Sequence, residues 1–369
     1  MATDDPFKER RAALRRQCTR FLHGHHLRTP AETLAAVADY CRRHEVAADR
    51  YGESEFVARF ESEIAASLGK PAAVFLPTGV MAQLIALRIW TERAGDKRVA
   101  FHPTSHLELH EERAYSRLHG FSATHLGSRH RVLLGADVLN HPEPLAALLV
   151  ELPAREIGGL LPTWTELAEL KRVVRERGIK LHMDGARLWE SAAYYERPLP
   201  EICDGFDSVY VSFYKGLDGI SGCALAGPAD FIAEARIWQR RHGGSMFSVY
   251  PYAAAARMYM EQHVHRFPEY RKRALSIAQA LSEVDGVEVA PAVPHVNMMH
   301  LFFRGTVDAI SAARDEIASK RRLWLSTGFI PADVPGWCRV EVYIGSQAME
   351  LEDAEVVEAF RELMRSAER

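Results

Sequence analysis

From about residue 70 the chain alternates short apolar runs with longer amphipathic stretches. AAVFLPTG (72–79) is apolar until Pro and Gly break it, and VMAQLIALRIW then follows with helical spacing. RVAFHP (98–103), HRVLLG (130–135), ALLVELP (147–153), IKLHMDG (179–185), SVYVSF (208–213) and GCALAGP (222–228) repeat the short, β-rich pattern. Such runs, bounded by turn residues, predict strands. Helical patterns lie between them, the clearest being TWTELAELKRVVRERG (163–178). It opens with a Thr-x-x-Glu capping box and closes on Gly. Strand and helix in alternation predict an α/β fold with a mostly parallel sheet covered on both faces.

After about residue 265 the texture changes. A helical pattern (269–286) leads into VNMMHLFF (296–303), a further helix near 307–320, and two strand-like runs, LWLS (323–326) and CRVEVYIG (338–345). A last helix is predicted over 352–367. The expected organisation is therefore a mainly helical N-terminal arm over 1–45, a large domain over 46–264 and a small α+β domain over 265–369. No internal repeat or low-complexity linker interrupts it.

The chain has 369 residues, 47% hydrophobic and 26% charged, with a formal net charge of -3. Without a basic excess there is no electrostatic footprint for nucleic acid. The five cysteines are odd in number and scattered, which fits a reducing compartment better than a disulfide framework. MATDDPFKERRAALRRQ carries both charges and no apolar core, unlike a secretory signal, and no apolar run approaches the roughly 20 residues of a membrane span. A cytoplasmic protein is expected.

Ligands of open parallel sheets bind beyond the carboxyl ends of the strands. The residues there are Thr78, Gly79 and Val80, then 102–106, 151–159, Asp184 and Lys215. The first turn opens a helix whose free N–H groups suit a phosphate. In LHMDGARLWE (181–190), Asp184 reads either as a helix N-cap or as a site carboxylate. In SVYVSFYKGLDGISG, Lys215 follows an apolar strand and precedes three glycines; it reads as a rim lysine in water or as a desolvated, nucleophilic amine. Asp184 and Lys215 end successive strands, which a parallel sheet brings close. A lysine and an acid so placed, with a phosphate-binding turn, are what pyridoxal phosphate needs. The lysine holds the aldehyde and the acid keeps the pyridine nitrogen protonated.

These residues resemble the threonine aldolase and β-eliminating lyase family. The similarity is carried by HxDGAR (182–187), KGL-x-G around Lys215, RRHGG (240–244), YGESEFVARFESEIAASLGK (51–70), PTGVMAQ (77–83), SHLELHE (105–111) and Arg339 in CRVEVY. The resemblance implies an aspartate-aminotransferase-like fold of type I, with a large, mostly parallel seven-stranded sheet domain and a small α+β C-terminal domain. It implies pyridoxal 5'-phosphate as cofactor and Lys215 as its Schiff-base anchor, with Asp184 on the pyridine nitrogen. His106 would stack on the ring and act in proton transfer, and Ser212 would lie in the cofactor site. Thr78, Gly79 and Val80 would hold the phosphate. Arg187 would lie by the cofactor ring and, with Arg339, bind the substrate carboxylate, since a guanidinium pairs bidentately with it. Glu111 matches a family acid after the histidine. The implied reaction is retro-aldol cleavage of a β-hydroxy-α-amino acid to glycine and an aldehyde. β-Elimination and transamination are the alternatives, and a homodimer or homotetramer with active sites at the interface is implied.

The substrate shell departs from the family pattern. Gly24 stands where the family has the Ser of an SDT motif, Ser54 replaces an acid, Tyr214 a Ser, Phe247 an Arg and Tyr343 a His. These changes point to a β-hydroxy or β-substituted amino acid other than threonine. Two rival readings remain at this level. One is a catalytically dead relic of the fold. The other is a metal hydrolase, because His102, His106 and His110 recur every four residues and His23, His25 and His26 cluster, although no HExxH carboxylate is in place.

Overall fold

The structure, a computed structural model, describes residues 8–26 and 28–369. The first seven residues of the charged N-terminal stretch and Leu27 of GHHLRTP lie outside the described residues. The described residues form two compact units, residues 28–266 and residues 8–26 with 267–369.

The larger unit is built on seven strands: β1 (Ala72–Leu76), β2 (Arg98–Phe101), β3 (Ser122–His125), β4 (Ala147–Glu151), β5 (Lys180–Gly185), β6 (Ser208–Ser212) and β7 (Cys223–Gly227). Their order across the sheet is β1-β7-β6-β5-β4-β2-β3. Only β7 runs antiparallel to its neighbours β1 and β6. This is the mostly parallel seven-stranded sheet expected. The helix Gly79–Ala94 is buried on nearly every side, through Ala82, Leu84, Ile85, Leu87, Ile89 and Trp90, as its all-round apolar composition demands. These side chains share one core with Val74, Val99, Leu149, Tyr210 and Leu225. The helix Trp164–Glu176 shows both halves of the Thr163–Glu166 capping box.

One expected strand is absent. Residues 130–134 are irregular and lead into the helix Gly135–Leu139, in which Val138 is buried; Leu133 is buried just before it. Apolar residues that pin a loop to the core thus mimic a strand. The strand in that region is instead β3, at the sheet edge, with no fully buried residue in its SATH sequence. Edge position removes the periodic apolar signal.

In the smaller unit an antiparallel sheet orders Ile330–Pro331, Trp337–Tyr343, Met298–Arg304 and Val287–Ala290. The helices Phe267–Leu281, Val307–Arg321 and Asp353–Ala367 contribute to its core through Ile277, Ile317 and Phe360. The expected arm over 1–45 is not one element. Arg20–Phe21 pairs in parallel with Leu323–Trp324 inside the smaller unit. The helix Pro30–Arg43 buries Val37 and Tyr40 with Ala254, Ala255 and Met258 in the larger one. Two separate apolar surfaces divide the segment. Among the described residues no helix is long and apolar enough to cross a membrane.

Candidate active site

Strands β4, β5 and β6 end side by side, and residues at or beyond their ends, with two histidines that follow β2, line one pocket. Its walls are His106, His110, Glu151, Pro153, Arg155, Glu156, Asp184, Ala186, Arg187 and Lys215. Parallel pairing puts Glu151 opposite Asp184, and Asp184 opposite Tyr210. Lys215 then follows β6 by three residues. The proximity expected of Asp184 and Lys215 is therefore met.

Asp184 is 5% exposed, and its Oδ1 accepts the N–H of Ala186 at 3.0 Å. It is not a helix cap: the next helix, Leu188–Tyr195, begins after Arg187. Gly185 is needed here, because a Cβ on it would lie 2.5 Å from the carbonyl oxygen of Tyr210. Burial pushes the Lys215 amine below the usual lysine range; Arg187 and Arg155 act in the same direction, while Asp184 and Glu151 oppose it. A buried amine that sheds its proton more readily is a nucleophile.

The imidazole Nδ1 of His106 is 2.8 Å from Oε1 of Glu111, whose side chain is only 1% exposed. The backbone N–H of His106 donates to Oε1 of Glu151 at 2.6 Å. Burial first, and the Asp184 carboxylate second, lift Glu151 well above the ordinary carboxyl range. His110 Nε2 lies 2.8 Å from Glu156 Oε1, and the Glu156 carboxyl also pairs with Arg155 at 3.2 Å. The pocket thus sets Lys215, Arg187 and Arg155 against Asp184, Glu151 and Glu156.

Thr78, Gly79 and Val80 form the N-terminus of the helix Gly79–Ala94, where the Thr78 hydroxyl accepts the N–H of Met81. The Tyr214 phenol lies beside the Gly79 backbone N–H and the Tyr210 hydroxyl. Ser212 is 1% exposed, and its Oγ accepts the N–H of Tyr214; it supports the turn rather than lining the pocket. Gly24 and Arg339 belong to the smaller unit. There Gly24 has φ +92° with the Tyr343 ring beside it, and a guanidinium nitrogen of Arg339 lies 3.1 Å from Nδ1 of His300.

The histidines of the metal reading have other work. His102 is buried, with Nδ1 on Thr104 and Nε2 near the carbonyls of Ser128 and Arg131, so it clamps a loop. His25 Nδ1 accepts the Ser346 N–H. Among the described residues no three His, Cys, Asp or Glu side chains converge on a metal site. Glu151, Arg155 and Glu156 fall in the strand-end segment 151–159, and His110 in the metal reading, but sequence reasoning assigned none of them a role in the pyridoxal phosphate site.

A model of the β-eliminating lyase family matches residues 29–303. The low specificity L-threonine aldolase of Escherichia coli K12 is 30% identical over 241 residues, covering 64% of this chain and 72% of that protein. A candidate aromatic amino acid β-eliminating lyase/threonine aldolase from Exiguobacterium sp. 255-15 has a crystal structure with TM-score 0.90 and 39% identity, covering 96% and 99% of the two chains. A candidate L-allo-threonine aldolase from Listeria monocytogenes EGD-E has TM-score 0.90 and 38% identity over 96% and 98%. With its type I fold, the chain belongs to the β-eliminating lyase family.

Proposed function

We propose that this protein is a pyridoxal phosphate-dependent lyase that cleaves a β-hydroxy-α-amino acid to glycine and an aldehyde. The observation that carries this reading is the meeting of Lys215 and Asp184 in one pocket at the ends of neighbouring strands. The relatives named as threonine aldolases support the reaction class.

The residues fit the cofactor. Lys215 offers for its aldehyde an amine whose proton affinity burial lowers. Asp184 offers a carboxylate for its pyridine nitrogen, and His106 an imidazole held by Glu111 for its ring face. The helix N-terminus at Gly79 offers a positive dipole end for its phosphate. Tyr214, in place of the family's serine, adds a phenol to that end. When bound, the cofactor supplies an electron sink for the pair left on the substrate's α-carbon.

The remaining work falls to the chain itself. Arg187, with its side chain 12% exposed on the pocket wall, provides a planar fork for the substrate carboxylate. Glu111 fixes the orientation of the His106 ring through Nδ1. The pocket's Lys215 returns or withholds a proton at the α-carbon as its amine gains or loses one. In this reading the protein works as a cytoplasmic homo-oligomer.

The test is product analysis with the purified enzyme and pyridoxal phosphate. Glycine and an aldehyde from a β-hydroxy amino acid are expected. Pyruvate and ammonia in their place would assign β-elimination, and a colourless protein that binds no cofactor would overturn the whole reading.

A further inference from the structure

We propose that His110, oriented by Glu156, is the base that removes the proton from the substrate's β-hydroxyl group. The assignment rests on the retro-aldol reading above and gives one of its steps to a named residue.

Two histidines line the pocket, and each has its own carboxylate. His106 is paired with the buried Glu111, and His110 with Glu156, both at 2.8 Å. Their ring centroids are 5.0 Å apart with planes inclined at 45°. The two pairs differ in depth. Glu111 is 1% exposed and Glu156 16%, while the His110 side chain is 39% exposed against 29% for His106. His106 is the inner imidazole and His110 the outer one.

Depth decides their use. The substrate's α-carbon must sit by Lys215, which stands with the nearly sealed Asp184 at the strand ends. The β-substituent then extends outward, where His110, Glu156 and Arg155 form the wall. A carboxylate on Nε2 of His110 keeps the ring proton on that nitrogen and leaves a lone pair on Nδ1. It also stabilises the imidazolium once Nδ1 is protonated. Arg155, paired with Glu156, holds that carboxylate in place. His106 has spent its Nδ1 on Glu111 and lies on the inner side, where the cofactor ring belongs.

The step balances without any co-reactant. The O–H bond of the β-hydroxyl breaks and an N–H bond to His110 Nδ1 forms. The Cα–Cβ bond breaks as the C=O bond of the aldehyde forms, and its electron pair passes to Cα. One proton is then taken up at Cα to give glycine, and His110 gives one proton to solvent at the mouth. His110 is the catalytic residue here and Glu156 a positioning residue.

The test uses the cofactor-loaded enzyme and its His110→Phe variant with threonine and β-phenylserine. Cleavage should fall about 10²–10⁴-fold, the usual contribution of a general base. The visible absorption band and the exchange of glycine's α-proton for deuterium should persist, because neither needs a base at the β-oxygen. Added imidazole should restore part of the cleavage. Glu156→Gln should lower cleavage less, and Glu156→Asp should regain part of that loss. Undiminished cleavage in His110→Phe, or equal loss of cleavage and glycine exchange, would overturn the assignment. A wild-type enzyme that exchanges glycine but cleaves no β-hydroxy amino acid would instead remove the retro-aldol reading itself, and this assignment with it.

Discussion

Glu151 and Asp184 face each other as register partners on adjacent parallel strands, so two carboxyl groups stand together at one end of the sheet. Both are drawn toward Lys215, but the pair cannot carry two full charges cheaply in a buried site. Glu151 yields: its carboxyl is lifted by burial and by Asp184, against the pull of Lys215 and the His106 N–H.

A stability prediction follows from that lift. A carboxyl raised above its unfolded value near 4.3 contributes stability that is fully present below that value and is lost as pH rises through the folded value. Glu151→Gln keeps the shape and removes the titration. Thermal melts of the cofactor-free protein should give similar Tm values for wild type and variant near pH 5. The variant should pull ahead toward pH 9. Parallel Tm curves across that range would contradict the assignment of the proton to Glu151.

Lys215→Ala removes the amine whose proton affinity the pocket has lowered. The wild-type protein with pyridoxal phosphate should absorb near roughly 410–430 nm, and the variant should lose that band together with lyase activity. Its Tm without cofactor should equal or exceed the wild-type value, since burying the lysine costs free energy in the folded state. An absorption band that survives the substitution and borohydride treatment alike would place the anchor elsewhere.

The same residues mark how far sequence could see. β1, β2, β4, β5, β6 and β7 were legible because each is an apolar run cut off by a Gly, Pro or polar turn. Asp184 and Lys215 were legible because a charge at the end of a buried strand has few structural uses. β3 was not, since an edge strand written SATH carries no apolar period. The wall made by Arg155 and Glu156 was hidden as well. It lies on the short 3₁₀ turn Arg155–Ile157, which has no periodic pattern to place its side chains. The His106–His110 spacing was visible, but only the geometry of Glu111 and Glu156 gives each ring its own carboxylate.

His182 should make the fold acid-sensitive. It is 0% exposed, with Nδ1 2.8 Å from the Ser208 hydroxyl and Nε2 2.6 Å from Oε1 of Gln83. Burial pushes its imidazole down to about 3. A depressed histidine contributes stability that is present above its unfolded value near 6.5 and lost as pH falls toward the folded one. Urea unfolding at pH 7 should show His182→Leu less stable by about 1–3 kcal/mol, because it strands Gln83 Oε1 and leaves the Ser208 hydroxyl only its bond from Trp90. Between pH 6.5 and 4 the wild type should lose stability more steeply than the variant. Equal slopes would show that His182 does not set the acid limb.

Gly79 should tolerate no side chain. An added Cβ would meet the Tyr210 hydroxyl oxygen at 2.1 Å and its Cζ at 2.6 Å. Tyr210 cannot swing aside: it is 2% exposed and packed in the core of the larger unit. The helix must therefore shift at its first turn, moving the Gly79 N–H from its present place. Overpacking of this kind costs about 1–3 kcal/mol. Gly79→Ala should unfold at lower urea concentration and, separately, release pyridoxal phosphate faster on dialysis, because the first-turn donors no longer point where the phosphate sits. A variant with wild-type stability and wild-type cofactor retention would mean that Tyr210 yields, and that the helix N-terminus takes no part in holding the cofactor.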